Sequence, residues 1–192
     1  MKLLVDRLGD SPRSESFEAD AAWWETASAR LPELGSADRR DFRFCVDAHR
    51  MGQDLYLGGV VEGQLELECG RCLNRYRLPL HESFRVVLEP AGDRSPAEPE
   101  AAAALARDGL CLGDDIETGW FRGRELELGP FLEEVVALAI PAHPVCREDC
   151  LGLCPQCGAD RNLGECGCRE ARPESPFAAL RALRRPSDQG ES

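Results

Sequence analysis

The chain has 192 residues, with 35 acidic against 23 basic side chains and a formal net charge of -12. That length buries one ordinary core plus appendages, and the acidic balance repels nucleic acid and anionic membranes at long range while favouring basic partners. The longest apolar run, Val135 to Ile140, falls far short of the roughly 18 residues a membrane-spanning helix needs.

The N-terminus, Met1-Lys2-Leu3-Leu4-Val5-Asp6-Arg7, meets charge too early for an export signal. The expected compartment is therefore the reducing cytoplasm, where clustered cysteines read as metal ligands before disulfides. Residues 14–34 predict a short helix that docks Trp23 and Trp24 into a core. Residues 41–89 read as β-structure. Phe42, Phe44, Val46 and Ala48 alternate with Asp41, Arg43, Cys45 and Asp47. Leu65, Leu67 and Cys69 alternate with Glu66 and Glu68, and two further sets follow at Tyr76, Leu78, Leu80 and at Phe84, Val86, Leu88. Period two with one apolar face marks half-buried antiparallel strands. Gly52 and the Gly58-Gly59 pair predict turns or bulges.

Residues 90–109, with Pro90, Pro96, Pro99 and the run Ala101 to Ala104, show no periodicity and predict a mobile insertion. Ile116, Leu126 and Leu128 suggest short strands. Pro130 opens a helix whose apolar face is Leu132, Val135, Val136, Ala139 and Ile140. Pro141 and Pro144 stop it and deliver the chain into the cysteine segment. Ser175-Pro176 starts a last helix, lined by Phe177, Leu180 and Leu183. The expected fold class is α+β: an antiparallel β-rich domain over residues 1–145 with a few helices, a cysteine-rich zinc-binding segment over 146–172, and a closing helix and tail over 173–192.

Of 10 cysteines, six fall in the 23 residues from Cys146 to Cys168. Cys154-Pro155-Gln156-Cys157-Gly158 is the strongest signal. Two thiolates three positions apart grip one ion from the same side, and the glycine lets the backbone turn back toward sulfur. Cys166 and Cys168 complete a tetrahedral set, which suits zinc. Cys146 and Cys150 are the alternative second pair. Cys69-Gly70-Arg71-Cys72, at the junction of two strand patterns, sits at a hairpin tip. With Cys146 and Cys150 it would make a second site, so one zinc ion is expected and two are accommodated. Cys45 and Cys111 are left as core residues.

No catalytic constellation accompanies these cysteines. A thioredoxin-type Cys-x-x-Cys opens a helix, whereas Gly158 disfavours one. Gly-x-Ser-x-Gly, the P-loop and His-Glu-x-x-His are all missing from the sequence, and its three histidines are scattered.

Leu67-Glu68-Cys69-Gly70-Arg71-Cys72-Leu73 resembles the Cys-x-Arg-Cys-Leu signature of the YceD family, the large ribosomal RNA subunit accumulation proteins. Cys150-Leu151-Gly152-Leu153-Cys154-Pro155-Gln156-Cys157-Gly158, ending in Cys166-Gly167-Cys168, resembles the tail of its cysteine-rich members. Ser175 to Leu183 is similar to the family's closing segment. The resemblance covers residues 40 to 185. It implies a non-enzymatic factor for synthesis, processing or stability of large-subunit 23S ribosomal RNA. A zinc-dependent interaction module outside the ribosome and a rubredoxin-like redox protein stay open beside it.

The acidic body favours a basic ribosomal protein or the immature large subunit as partner, with no membrane and no small-molecule substrate. Direct RNA contact stays open, because Arg161, Arg169, Arg172, Arg181, Arg184 and Arg185 outnumber Glu165, Glu170 and Glu174 in the tail.

Overall fold

The computed structural model describes residues 1–37, 42–113 and 117–168. Two short strands, β1 (Lys2–Leu4) and β2 (Arg13–Phe17), precede helix α1 (Ala21–Arg30). Three long strands follow: β3 (Arg43–Met51), β4 (Asp54–Glu68) and β5 (Arg75–Pro90). Then come α2 (Pro99–Asp108), β6 (Leu110–Leu112), β7 (Thr118–Phe121), β8 (Glu125–Glu127) and α3 (Gly129–Ala139). The main sheet has the order β2-β3-β4-β5-β7-β6 and is antiparallel except for the parallel β5–β7 pair. A separate two-stranded sheet joins β1 to β8. The architecture is α+β.

The alternation read in the sequence is the alternation seen. Phe42, Phe44, Val46 and Ala48 are buried, as are Leu65, Leu67 and Cys69. The two apolar sets after residue 75 belong to one strand, β5. Glu82 takes an in-phase position between Leu80 and Phe84, so it breaks the apolar pattern without breaking the strand.

Gly52, with φ 68°, makes the tight turn between β3 and β4. Gly58 and Gly59 do not mark a turn; they lie inside β4. A β-carbon on Gly59 would sit 2.1 Å from the Cys45 carbonyl oxygen and 2.8 Å from the Phe84 ring. Close approach of backbone and ring, rather than chain reversal, demands glycine there.

Helix α1 starts where the Asp20 carboxylate accepts a hydrogen bond from the Trp23 amide at 2.8 Å, which satisfies one orphan donor of the first turn. Trp24 is buried and meets Phe42 edge-on, with ring centroids 5.1 Å apart. Trp23 reaches across to α3, where its indole Nε1 donates to the Gly129 carbonyl at 2.9 Å. The aromatic pair thus locks α1 to both the sheet and α3.

Residues 90–109 are not a structureless insertion. Pro99 supplies a pre-set first turn, and the alanine run has the highest helix propensity. Gly109, at φ 77°, closes α2 as a left-handed cap. Ala101, Ala104 and Leu105 form a stripe against Ala91, Cys111 and Trp120. Ala101, Ala104 and Leu105 recur at helical spacing, so the helical period is present in the sequence after the prolines.

The first compact unit runs from Met1 to Cys150 and the second from Leu151 onward. Cys146 and Cys150, expected in the cysteine-rich segment over 146–172, lie in the first unit. The expected strand at Ile116 and the helix after Pro176 lie outside the described residues.

Trp24→Ala is expected to lower the unfolding free energy by about 3–5 kcal/mol, the usual cost of emptying a buried aromatic site. The midpoint of denaturant unfolding measures it. Trp23→Phe, which removes one part-buried hydrogen bond, should cost about 1 kcal/mol.

Candidate metal centres

Among the described residues, strand β3 pairs with β4 only as far as Glu62. Beyond it, residues 63–68 of β4 and 75–80 of β5 continue as a two-stranded arm. Cys69 to Asn74 form its tip. There the Cys69 amide donates to the Asn74 carbonyl at 3.0 Å, and the Leu73 amide donates to the Cys69 carbonyl at 2.8 Å. The Arg71 amide points at Cys69 Sγ, 3.4 Å away.

The chain leaving α3 is bound to this tip. The Gly70 amide donates to the Pro144 carbonyl at 2.8 Å. The Arg71 guanidinium donates through Nη1 to the carbonyls of Glu148, at 2.9 Å, and Cys150, at 3.1 Å. These contacts carry Cys146 and Cys150 to Cys69 and Cys72. The four sulfurs lie within 4.8 Å of one another. Cys69 and Cys150 are 3.9 Å apart, and Cys72 and Cys146 are 3.8 Å apart. Around an ion at a zinc–sulfur distance of about 2.3 Å, the edge of a sulfur tetrahedron is about 3.8 Å. Cys69, Cys72 and Cys150 are buried.

The second unit holds the other group. The Cys154 amide donates to the Ala159 carbonyl at 2.8 Å, and the Gly158 amide donates to the Cys154 carbonyl at 2.9 Å. This is the hydrogen-bond pattern of the Cys69 turn, repeated residue for residue. Gly158 takes φ 73° where Leu73 takes φ 61°. Asn162 ties the loop together. Its Oδ1 accepts from the Leu151 amide at 2.9 Å, and its Nδ2 donates to Asp160 Oδ1 at 2.6 Å. Gly167, also at positive φ, separates Cys166 from Cys168. Cys154, Cys157, Cys166 and Cys168 again have all sulfurs within 4.8 Å. Here Cys157 and Cys168 are exposed.

Each group can hold a metal ion by its geometry, and its electrostatics favour anionic sulfur at one position. Burial pushes the Cys69 thiol up, but the backbone amides of Cys146, Cys72 and Arg71 together outweigh it and bring the thiol down to about 6. The amides of Cys157 and Gln156, with the Cys166 thiol, hold Cys154 at about 6 as well. Cys146 is pushed up to about 12, first by burial and then by the neighbouring thiols. Cys168 is pushed up to about 12 by Cys157 and Cys166. Four sulfurs this close cannot all ionise without a cation among them.

The structure thus divides the eight sequence-selected cysteines four and four, with Cys146 and Cys150 joining the hairpin pair rather than the tail pair. Cys111 is buried, but Cys45 is exposed on the polar phase of β3, not in the core. Its place among Arg43 and Asp47 in the alternation already carried that signal. Two contributors escaped sequence reasoning. Arg71 braces the Cys146–Cys150 segment. Tyr76 packs against the first group, with its hydroxyl buried.

The profile of the family described as large ribosomal RNA subunit accumulation protein YceD matches residues 57–184, a span that takes in both sulfur groups. The chain belongs to the YceD family. A relative from Zea mays, named large ribosomal RNA subunit accumulation protein YCED homolog 1, chloroplastic, is 26% identical over 185 residues, covering 86% of this chain and 61% of its own. The Arabidopsis thaliana protein of the same name is 25% identical over 165 residues, covering 76% of this chain and 49% of its own. An uncharacterized protein of Mycobacterium tuberculosis is 30% identical over 112 residues, covering 56% of this chain and 45% of its own. The chain spans between about half and three-fifths of the length of the two plant relatives. No solved structure is significantly similar to it. No helix among the described residues is long and apolar enough to cross a membrane.

In metal-free protein, the thiols of Cys69 and Cys154 lie below the ordinary thiol value, so their thiolates exist above pH about 6 and are lost below it. Ultraviolet thiolate absorbance should rise by two thiolates per chain as pH increases through that value. Cys69→Ser and Cys154→Ser should each remove one. Arg71→Ala should weaken metal retention at the hairpin group by about 10-fold or more in chelator competition and leave the tail group unchanged.

Proposed function

We propose that this protein is a non-enzymatic factor for the accumulation of large-subunit 23S ribosomal RNA, acting in ribosome assembly in the cytoplasm through a basic ribosomal protein or the immature subunit itself. The family match across residues 57–184 carries this reading. The net charge of -12 supports a basic protein partner over bare RNA, since RNA binding needs clustered Lys and Arg to displace counterions.

Two zinc ions, one in each group of four cysteines, are part of the proposal. Thiolate-only, four-coordinate sets are structural zinc sites that leave no open position for substrate. Binding at such sites is coupled to folding and is worth about 10–16 kcal/mol. The ions would fix the hairpin tip against the segment after α3 and order the tail loop. They need take no part in any reaction.

Purified protein should contain two zinc ions per chain by elemental analysis and be colourless. Cys69→Ser and Cys154→Ser should each bring the content to one. A red, iron-loaded protein would instead support the rubredoxin-like reading. Deleting the gene should lower the ratio of large- to small-subunit ribosomal RNA. Co-sedimentation with pre-ribosomal particles should weaken steeply with added salt, because charge attraction decays over about 8 Å near physiological ionic strength. An unchanged RNA ratio, together with tighter binding to naked RNA than to any ribosomal protein, would sink the reading.

A further inference from the structure

Among the described residues, strand β5 has a partner on only part of one side. It pairs with β4 from Arg75 to Leu88, but with β7 only from Val87 to Pro90. The Val87 amide donates toward β7, to the Glu117 carbonyl at 2.8 Å. By the two-residue repeat of a strand, the amides of Ser83 and Arg85 point to the same side, where no strand pairs with them among the described residues. Pro79 falls in the same phase, so the amide it lacks would also have faced the open edge. Proline blunts exposed edges in this way, and here it leaves only the stretch from Leu80 to Val86 available.

Beside that stretch lies an open cavity of about 570 Å³ between the strand edge and α3. Its floor is apolar. Phe84 and Phe131 meet edge-on at 5.2 Å, with Leu112 alongside, and Leu138 stands 63% exposed at the mouth. Its rim is acidic. Glu117 is neutralised by Arg85 at 2.7 Å, whereas Glu82 and Glu134 are exposed and have no cationic partner among the described residues.

The geometry points to a strand-addition site. We propose that an extended segment of a partner protein, carrying apolar and basic side chains in succession on a single strand face, pairs with β5 at Ser83 and Arg85, seats an apolar side chain over Phe84 and Phe131, and sets the cations two residues to either side of it against Glu82 and Glu134. Main-chain pairing supplies affinity in such docking, and the pocket supplies side-chain selectivity. An open edge, an apolar pocket and uncompensated carboxylates coincide here, and a basic segment answers all three. The identity of the partner as a basic ribosomal protein rests on the function proposed above; the site itself does not.

The test uses the full-length, zinc-loaded chain and three probes: a synthetic peptide with Lys, Leu and Lys at alternate positions and Thr between them, so that one strand face carries both the cations and the apolar side chain, its counterpart with Glu for Lys, and a short oligouridine RNA. Amide NMR should show the basic peptide shifting the Ser83 and Arg85 resonances and slowing their hydrogen exchange, while the other two probes leave them unmoved. Ser83→Pro removes an edge donor and should abolish pairing. Leu138→Asp changes only an exposed side chain, keeps the fold testable if the proline variant does not fold, and should weaken binding by about tenfold or more. Equal binding of the acidic peptide, RNA shifting these amides, self-association of the free chain through them, or indifference to Leu138→Asp would each overturn the proposal. If the basic peptide fails to bind while the chain still co-sediments with pre-ribosomal particles, the edge site falls and the function stands. If the peptide binds as described and co-sedimentation fails, the function falls and the site stands.

Discussion

Hydrogen bonds between the hairpin tip and the segment after α3 bring the first sulfur group together. Cys69 and Cys72 sit on an arm that projects past the end of β3, and Cys146 and Cys150 lie more than seventy residues away in the chain. Side-chain packing alone does little to join them, since the cluster around these cysteines is small. The Gly70 amide on the Pro144 carbonyl and the Arg71 guanidinium on two further carbonyls set the register. Arg71 therefore acts within the signature as a clamp: a planar, always-charged fork that satisfies carbonyls which an unstructured segment would otherwise leave to water. α3 matters to the centre because it fixes where that segment begins. Trp23 matters because it holds the first residue of α3.

The sequence was legible where one physical period dominated. The strand faces of β3 and β4 and the apolar stripe of α3 come directly from the spacing of Phe42, Phe44, Val46 and Ala48, of Leu65, Leu67 and Cys69, and of Leu132, Val135 and Val136. It was illegible where small residues carried the packing. α2 carries its helical period on alanines and one leucine just after Pro96 and Pro99, which masked it, and Gly59 serves an approach distance that only the folded sheet defines. β1 has only three residues and β2 is polar at every position but Phe17, so neither carries an alternation long enough to read, and their pairing is imposed by β8 and β3.

The eight ligand candidates were visible as cysteines, and the four-and-four division was one of two that the sequence left open. Spacing shows which two sulfurs share a turn. It does not show which turn meets which returning segment, because that is a tertiary fact set by backbone hydrogen bonds. Both groups follow one plan nonetheless. One pair lies on a six-residue turn whose amides are aimed at the first sulfur, and the other pair comes from a strand-free segment brought back to it. The plan was half hidden because the second turn carries glycine after its last cysteine and the first carries leucine.

That difference bears on how the hairpin centre is held together. Leucine in the left-handed region costs on the order of 1–3 kcal/mol where glycine would cost almost nothing. Leu73 gains little in return by burial, since its side chain is more than half exposed. The turn keeps its shape because other terms exceed the strain. The Leu73 amide bonds the Cys69 carbonyl and the Cys69 amide bonds the Asn74 carbonyl, so relaxing the backbone at Leu73 would break both. An ion bound by four thiolates, at about 10–16 kcal/mol, would exceed the strain several-fold. The tail turn, with Gly158, carries no such strain. Loss of metal should therefore loosen the hairpin turn more than its own hydrogen bonds would suggest, while the glycine turn can keep its conformation without the ion.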